Sequence, residues 1–213
     1  MKAVKQMPKP TFFNLPDEKR QVVLHAAIDE FAVNSFQSAS ISSIVEAAGI
    51  AKGSFYQYFE DKEDLFRHLL IETGNMKLQY LTRMLTQMQE LTFFELMREL
   101  FAGGIRFAQA NPKLALIGNR FIKETDPVFK ERILGEMAPR SNEFLEQLVR
   151  AGVEKGELRP DLDANLTAFL LTHVSIATGE FYMAGRQQDD YEDFLPLVDR
   201  VLRLLAQGIQ QGE

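Results

Sequence analysis

The sequence predicts an all-α protein: an N-terminal three-helix unit followed by a larger helical region. Three observations carry this. Apolar residues recur at helical spacing along the chain, with no sustained period-2 alternation and no Asn-Gly hairpin dipeptide. Two short helical stretches between Ser40 and Phe59 meet at a glycine turn. Breaks at Thr92, Asn111-Pro112, Asp126-Pro127, Gly156 to Pro160 and Gly185 to Asp190 divide the later chain into further helical lengths.

The elements follow in order. Pro16 is placed as a first-turn proline, with Asp17 and Glu18 next to the positive end of the helix it opens. Leu24, Ala27, Ile28 and Phe31 form its apolar stripe, and it stops near Asn34-Ser35. Ser40 is a good N-cap for a short helix with Ile41, Ile44, Val45 and Ala48 on one side. Gly49 ends it as a residue with positive φ. A second short helix runs from Lys52 to Phe59. Asp61, with Asp64 three residues on, caps a long helix from Lys62 to about Gln89. Helices over about 92–110, 113–123, 128–155, 163–184 and 191–210 complete a count of nine or ten, and Ala138-Pro139 is expected to kink or split the 128–155 helix.

Composition narrows the function. A chain of 213 residues allows one medium domain or a small one joined to a larger one. With 46% hydrophobic and 25% charged residues it is not a disordered chain. The absence of cysteine excludes disulfides, thiolate zinc sites and a cysteine nucleophile. His25, His68 and His173 show no metal-ligand spacing, and no cofactor motif is present. No apolar run approaches the roughly 20 residues of a membrane span, and the N-terminus lacks a secretory apolar region, so a cytoplasmic protein is expected. A net charge of −6 excludes a broadly basic nucleic-acid coat, but not a small DNA-reading module. Residues 1–20 carry five basic against two acidic side chains. Residues 1–15 therefore read as a flexible basic arm, either simply unstructured or laid along DNA phosphates or in a minor groove. No Ser/His/Asp set can be inferred, so an enzyme is not expected. An all-helical enzyme with an apolar pocket would need a convergent reactive group.

The informative stretch is 40–62. A helix-turn-helix needs one helix to brace a second, and the second must be narrow and polar outside to enter the major groove. Here the second helix offers Lys52, Gly53, Ser54 and Gln57 outward, while Phe55 and Phe59 turn inward. Gly53 permits close backbone approach to DNA. Gln57 can read adenine N6 and N7, and Ser54 can bond a base edge or a phosphate.

Residues 17–70 resemble the TetR-type transcriptional regulators. The likeness rests on His25-Ala26-Ala27-Ile28-Asp29-Glu30-Phe31, Ser40, Ile44, Ala47-Ala48-Gly49, Lys52 through Phe59, and Asp61-Lys62-Glu63-Asp64-Leu65. The resemblance implies a DNA-binding domain over 16–61 and a ligand-binding and dimerisation domain over 62–213, with the 62–89 helix linking them. It implies phosphate contacts from Ser40, Tyr58 and Lys62, and a phosphate or thymine-methyl contact from Tyr56. Ser42, Ser54 and Gln57 are the candidates for base edges, and Lys52 can serve either purpose. Two positions depart from the pattern. Many members carry glycine where Ser35 stands, so Ser35 must accept a strained backbone or Asn34 must turn left-handed. Many carry serine or threonine where Ala51 stands, and without that cap the second helix loses roughly 0.5–2 kcal/mol.

The resemblance also implies a pseudo-palindromic operator, a homodimer and a small-molecule effector. The Phe- and Met-rich region 76–184 favours a lipophilic one. Apolar pocket candidates are Met76, Tyr80, Met84, Phe101, Ile105 and Phe121, with Phe144, Leu148, Phe169 and Phe181 further along. Asn119, Arg120, His173 and Glu180 are the polar candidates. For the dimer seam, Ala164, Ala168, Leu171 and Ser175 form one stripe, and Leu197, Val201, Leu204 and Leu205 a second. The function expected is a repressor released by its ligand. An activator or a ligand-independent DNA-binding protein of the same fold is the alternative.

Overall fold

The structure, a computed structural model, describes residues 8–85, 88, 90–124, 126–184 and 191–209. Among these residues there are ten helices and no strand. They are α1 (Pro10–Phe13), α2 (Asp17–Val33), α3 (Ile41–Ala47), α4 (Lys52–Tyr58) and α5 (Lys62–Leu85), then α6 (Phe93–Ala110), α7 (Pro112–Glu124), α8 (Pro127–Glu154), α9 (Ala164–Met183) and α10 (Phe194–Ile209). Helix α8 is one continuous helix through Pro139 rather than two. No helix among the described residues is long and apolar enough to cross a membrane.

The chain divides into two compact units: residues 1–75 with 111–133, and residues 76–110 with 134–213. The first unit is therefore larger than the 16–61 stretch expected from sequence. It takes in the first part of α5, all of α7 and the start of α8. The reason is aromatic packing. Phe31 meets Phe66 at 4.8 Å, Phe66 meets Phe36 at 4.9 Å, and Phe36 meets Phe129 at 5.4 Å between ring centroids. Arg120 of α7 donates to the Ala32 carbonyl (2.9 Å) near the C-terminal end of α2, where a cation is favoured. Lys113 pairs with Asp29 at 2.6 Å on the same two helices.

Local caps set the turns of this unit. The Ser40 hydroxyl accepts from the Ser42 and Ser43 N–H groups. At the other end of α3, Gly49 has φ +65°, the Gly49 N–H reaches Glu46 O and the Ile50 N–H reaches Val45 O. This bond pair is a Schellman motif. Asp61 accepts from the Asp64 N–H (2.8 Å), and the buried Asp64 accepts from the Glu60 N–H (3.0 Å). The turn after α2 differs from the expectation. No non-glycine residue among those described has positive φ, and Asn34 is extended at φ −109°. A side-chain network holds it instead: Asn34 donates to Glu30, and Glu30 accepts the Ser40 N–H.

The N-terminal arm also differs. Residues 1–7 lie outside the described residues. Residues 8–15 are placed, and α1 is a helix the periodicity did not reveal. Phe12 is buried, and Arg20 donates to the carbonyls of Phe13 and Leu15.

The second unit is built on Phe93, Met97, Leu145, Val149, Leu158, Ala168, Leu171, Val198 and Leu202. Helices α5 and α6 approach closely at Gly103, where an added Cβ would lie 2.8 Å from Leu81 Cδ2 and 2.9 Å from Met84 Sδ.

The backbone at Gly49 makes a prediction. A side chain there meets no other atom, so Gly49→Ala isolates the cost of positive φ. Thermal melts should show a loss of about 1 kcal/mol and a fall in Tm of about 2–4 °C.

Candidate nucleic-acid interface

Helix α4 has seven residues, too few for stability in isolation. Its inner face is anchored by Phe55, with Phe59 just beyond its end; both are fully buried, with ring centroids 5.5 Å apart. That fixes its outer face. Lys52, Gly53, Tyr56 and Gln57 are exposed, and Ser54 and Tyr58 are half-buried. Every side chain expected to read bases from this helix thus lies outside the core. Ala51 provides no side-chain cap at the N-terminal end, in line with the departure noted in the sequence. An added Cβ on Gly53 meets nothing within 4 Å, so nothing within the protein requires glycine there.

Two helices contribute to this surface. Ser42 of α3 is exposed, and its hydroxyl accepts from the Lys52 ammonium at 3.4 Å. Ser40 is half-buried and its oxygen already caps α3, leaving its O–H free to donate outward. Lys62 is placed otherwise than expected. Its ammonium donates to the carbonyls of Gln37 (3.1 Å) and Ala39 (2.8 Å) and lies 5.0 Å over the Phe36 ring. Two of its three N–H donors therefore hold the turn between α2 and α3.

Behind α4, His68 of α5 meets the Phe12 and Phe13 rings edge-on at 5.5 and 6.0 Å. Burial lowers its pKa below the ordinary 6.5, against the pull of Glu72 and Asp64, and Arg67 adds to the lowering.

The residues expected to line an effector pocket fall in both compact units. Asn119, Arg120 and Phe121 belong to the first unit. Phe121 is buried in its aromatic cluster, and Arg120 caps α2. A cleft near them, lined by Phe31, Phe36, Phe66, Ile117, Arg120 and Phe121 among others, holds a cavity of about 10 Å³, far below the roughly 300–1,000 Å³ of usual ligand sites. In the second unit, Met76 and Tyr80 are exposed, and Met84 and Ile105 are half-buried. Phe101, Phe144 and Leu148 pack against the core. Lys77 of α5 lies over Gly104, with its Nζ 3.7 Å from where a Cβ would be. Although the residue as a whole is exposed, desolvation lowers its pKa from the ordinary lysine value.

Helix α9 turns the other way from the sequence expectation. Ala168 and Leu171, expected at a dimer seam, are buried within the chain itself, while Ala164 and Ser175 are half-buried. Phe169, His173 and Phe181, assigned to the pocket, are exposed, with Leu166 and Leu170 beside them on the surface. On α10, Leu204 is exposed, Leu197 and Val201 are half-buried, and Leu205 packs on the core.

Comparison with known proteins decides the family. The model of bacterial regulatory proteins of the tetR family matches residues 23–69, which hold α3, α4 and most of α2. A crystal structure of a TetR family transcriptional regulator from Chloroflexus aurantiacus J-10-FL is 32% identical, covers 97% of this chain and 100% of its own, and superposes with a TM-score of 0.58. This chain belongs to the TetR family.

Other TetR-type relatives span nearly the whole length. The fatty acid metabolism regulator protein of Bacillus subtilis is 24% identical over 90% of this chain and 95% of its own. The transcriptional repressor AcnR of Corynebacterium glutamicum is 25% identical over 88% of this chain and 94% of its own. The crystal structure of FadR from Bacillus subtilis in complex with stearoyl-CoA shares the fold, with a TM-score of 0.68 at 23% identity over 88% of this chain and 98% of its own. As a TetR family member, this chain is a DNA-binding transcriptional regulator.

The His68 environment makes a pH prediction. The folded protein holds the proton less tightly than the unfolded chain, so the contribution is full above about pH 6.5 and is lost as pH falls below it. Thermal melts between pH 7.5 and 5 should fall less steeply for His68→Phe than for the parent. Parallel curves would refute the assignment.

Proposed function

We propose that the chain is a homodimeric repressor that reads an operator with α4 and is released by a lipophilic effector carrying an anionic group. The carrying observation is the division of α4: Phe55 is fully buried while Lys52, Gly53, Tyr56 and Gln57 face outward together. In this reading Gln57 and Ser54 read base edges, with Ser42 of α3 beside them. Ser40, Tyr56 and Tyr58 bond phosphates. Lys52 serves either purpose. Lys62 acts mainly by holding the turn that presents α3.

The exposed face of α9 supports a dimer. Leu166, Phe169, Leu170 and Phe181 are 53, 49, 53 and 73% exposed, an apolar stripe that a soluble chain covers with a partner. Leu204 of α10, at 71%, adds to it, with Leu197 and Val201 on the same side of that helix. A two-fold dimer presents two recognition helices to a pseudo-palindromic site.

The relatives support the effector class, one being named for fatty acid metabolism and another holding stearoyl-CoA. In this chain the apolar side chains of Leu81 and Met84 against α6 suit an acyl chain. The Lys77 ammonium, held close to α6 at Gly104, suits an anionic head. The effector must bind the released form more tightly than the DNA-bound form; otherwise it shifts nothing.

The test is selection of random duplexes by the purified protein, followed by titration of the enriched site with a long-chain acyl-CoA. An enriched palindrome released by acyl-CoA, and not by coenzyme A alone, is the expected result; no enrichment would overturn the reading. On that operator, Gln57→Ala should relax preference at one base pair per half-site by about 1–3 kcal/mol. Gly53→Ala should leave the fold as stable or slightly more so, because an open helical position favours alanine, and yet weaken DNA binding. Replacing Phe169 and Leu170 by aspartate should give monomers in analytical ultracentrifugation.

A further inference from the structure

The end of α4 is held from outside the helix-turn-helix. An α-helix leaves its last four carbonyls without intrahelical partners. At the end of α4 the carbonyls of Phe55, Tyr56, Gln57 and Tyr58 are all satisfied. The Phe59 N–H closes on Phe55 O at 2.9 Å. The other three are taken by two residues of the N-terminal segment. The Lys9 ammonium donates to Tyr56 O at 2.8 Å, the Thr11 hydroxyl donates to Gln57 O, and the Lys9 N–H donates to Tyr58 O at 2.9 Å. Phe12 seats the segment: it is 1% exposed, with its ring 4.8 Å from Phe59 and 5.5 Å from His68. Glu60 adds an ion pair to Lys9 at 3.4 Å.

We infer that residues 8–13 are the C-terminal cap of the recognition helix, and that Lys9 and Thr11 are positioning residues for sequence reading. The inference rests on α4 being the reading helix. Its physical basis is the placement of the bonds. Lys9 and Thr11 grip the backbone of Tyr56 and Gln57, whose side chains face outward. A seven-residue helix uncapped at Ala51 frays readily, and fraying from the far end moves those two side chains first. A cation is also favoured at a helix C-terminus. Lys9 thus acts from within the protein, through α4, and does not serve as one of the phosphate-binding cations of a basic arm.

The test uses the full-length chain with Lys9→Met, Thr11→Val and the double substitution, which remove the donors and keep the stems. Affinity is measured on the selected operator and on random duplex at two salt concentrations, and amide exchange of α4 is followed without DNA. The double variant should weaken operator binding about tenfold, leave random-duplex affinity and the salt slope unchanged, and speed exchange in the last turn of α4 but not in α3. Lys9→Arg, which keeps a cationic donor, should restore most of the loss. Unchanged exchange and unchanged operator affinity would overturn the cap. A salt slope reduced by about one, with operator and random DNA weakened alike, would make Lys9 a phosphate contact and overturn the positioning role. Faster exchange in a chain whose parent selects no operator would strike the reading role alone, which separates that failure from failure of the cap.

Discussion

A seven-residue helix cannot hold itself, and the architecture around α4 answers that constraint. Nucleating a helix costs more than two turns of hydrogen bonds return in water, so the free energy that keeps α4 folded comes from its surroundings. One part is burial. Phe55 and Phe59 are fully enclosed, and truncating a buried phenylalanine typically costs about 3–5 kcal/mol. Another is the Gly49 turn, which fixes where the helix starts. The last is the N-terminal segment, which closes the end opposite the uncapped Ala51. With three sides held by protein, the fourth is left for outward-facing polar groups.

The same logic extends to the helices that brace it. The Lys62 ammonium stitches the turn between α2 and α3 to α5 through two carbonyls, and Glu30 ties the end of α2 to the start of α3. Residues that look like surface charges in the sequence thus act as internal struts. A lysine pointing at backbone carbonyls and one pointing at solvent have the same letter, and only the fold separates them.

What was legible in the sequence was local. Ser40, Gly49 and the Asp61–Asp64 pair announce caps within a few residues of themselves, and each is found as a cap. The inward Phe55 and Phe59 and the outward Gln57 follow from helical spacing alone. The long-range features were not legible. Pro10 to Phe13 are too few to show a period, and what holds them is a set of carbonyls more than 40 residues away. Helix α9 is apolar on more than one side, so periodicity could not say which side meets the core. A stripe of small and apolar residues suggested Ala168 and Leu171 for a partner, but the core took them and left Phe169 and Phe181 outside. Arg120 read as a pocket residue because its role depends on the distant Ala32 carbonyl.

The placement of α7 and the start of α8 with the first unit bears on how family members can be recombined. One route to a regulator with a new DNA preference and an old effector response is to graft one N-terminal segment onto another chain. In this fold, a graft ending at residue 75 would bring Phe31, Phe36 and Phe66 but leave behind Ile117, Phe121 and Phe129, which complete their packing. It would also separate the Ala32 carbonyl and Asp29 from Arg120 and Lys113. The interchangeable part is discontinuous: residues up to 75 travel together with 111–133, and a chimera that respects both cuts keeps one parent's aromatic core intact.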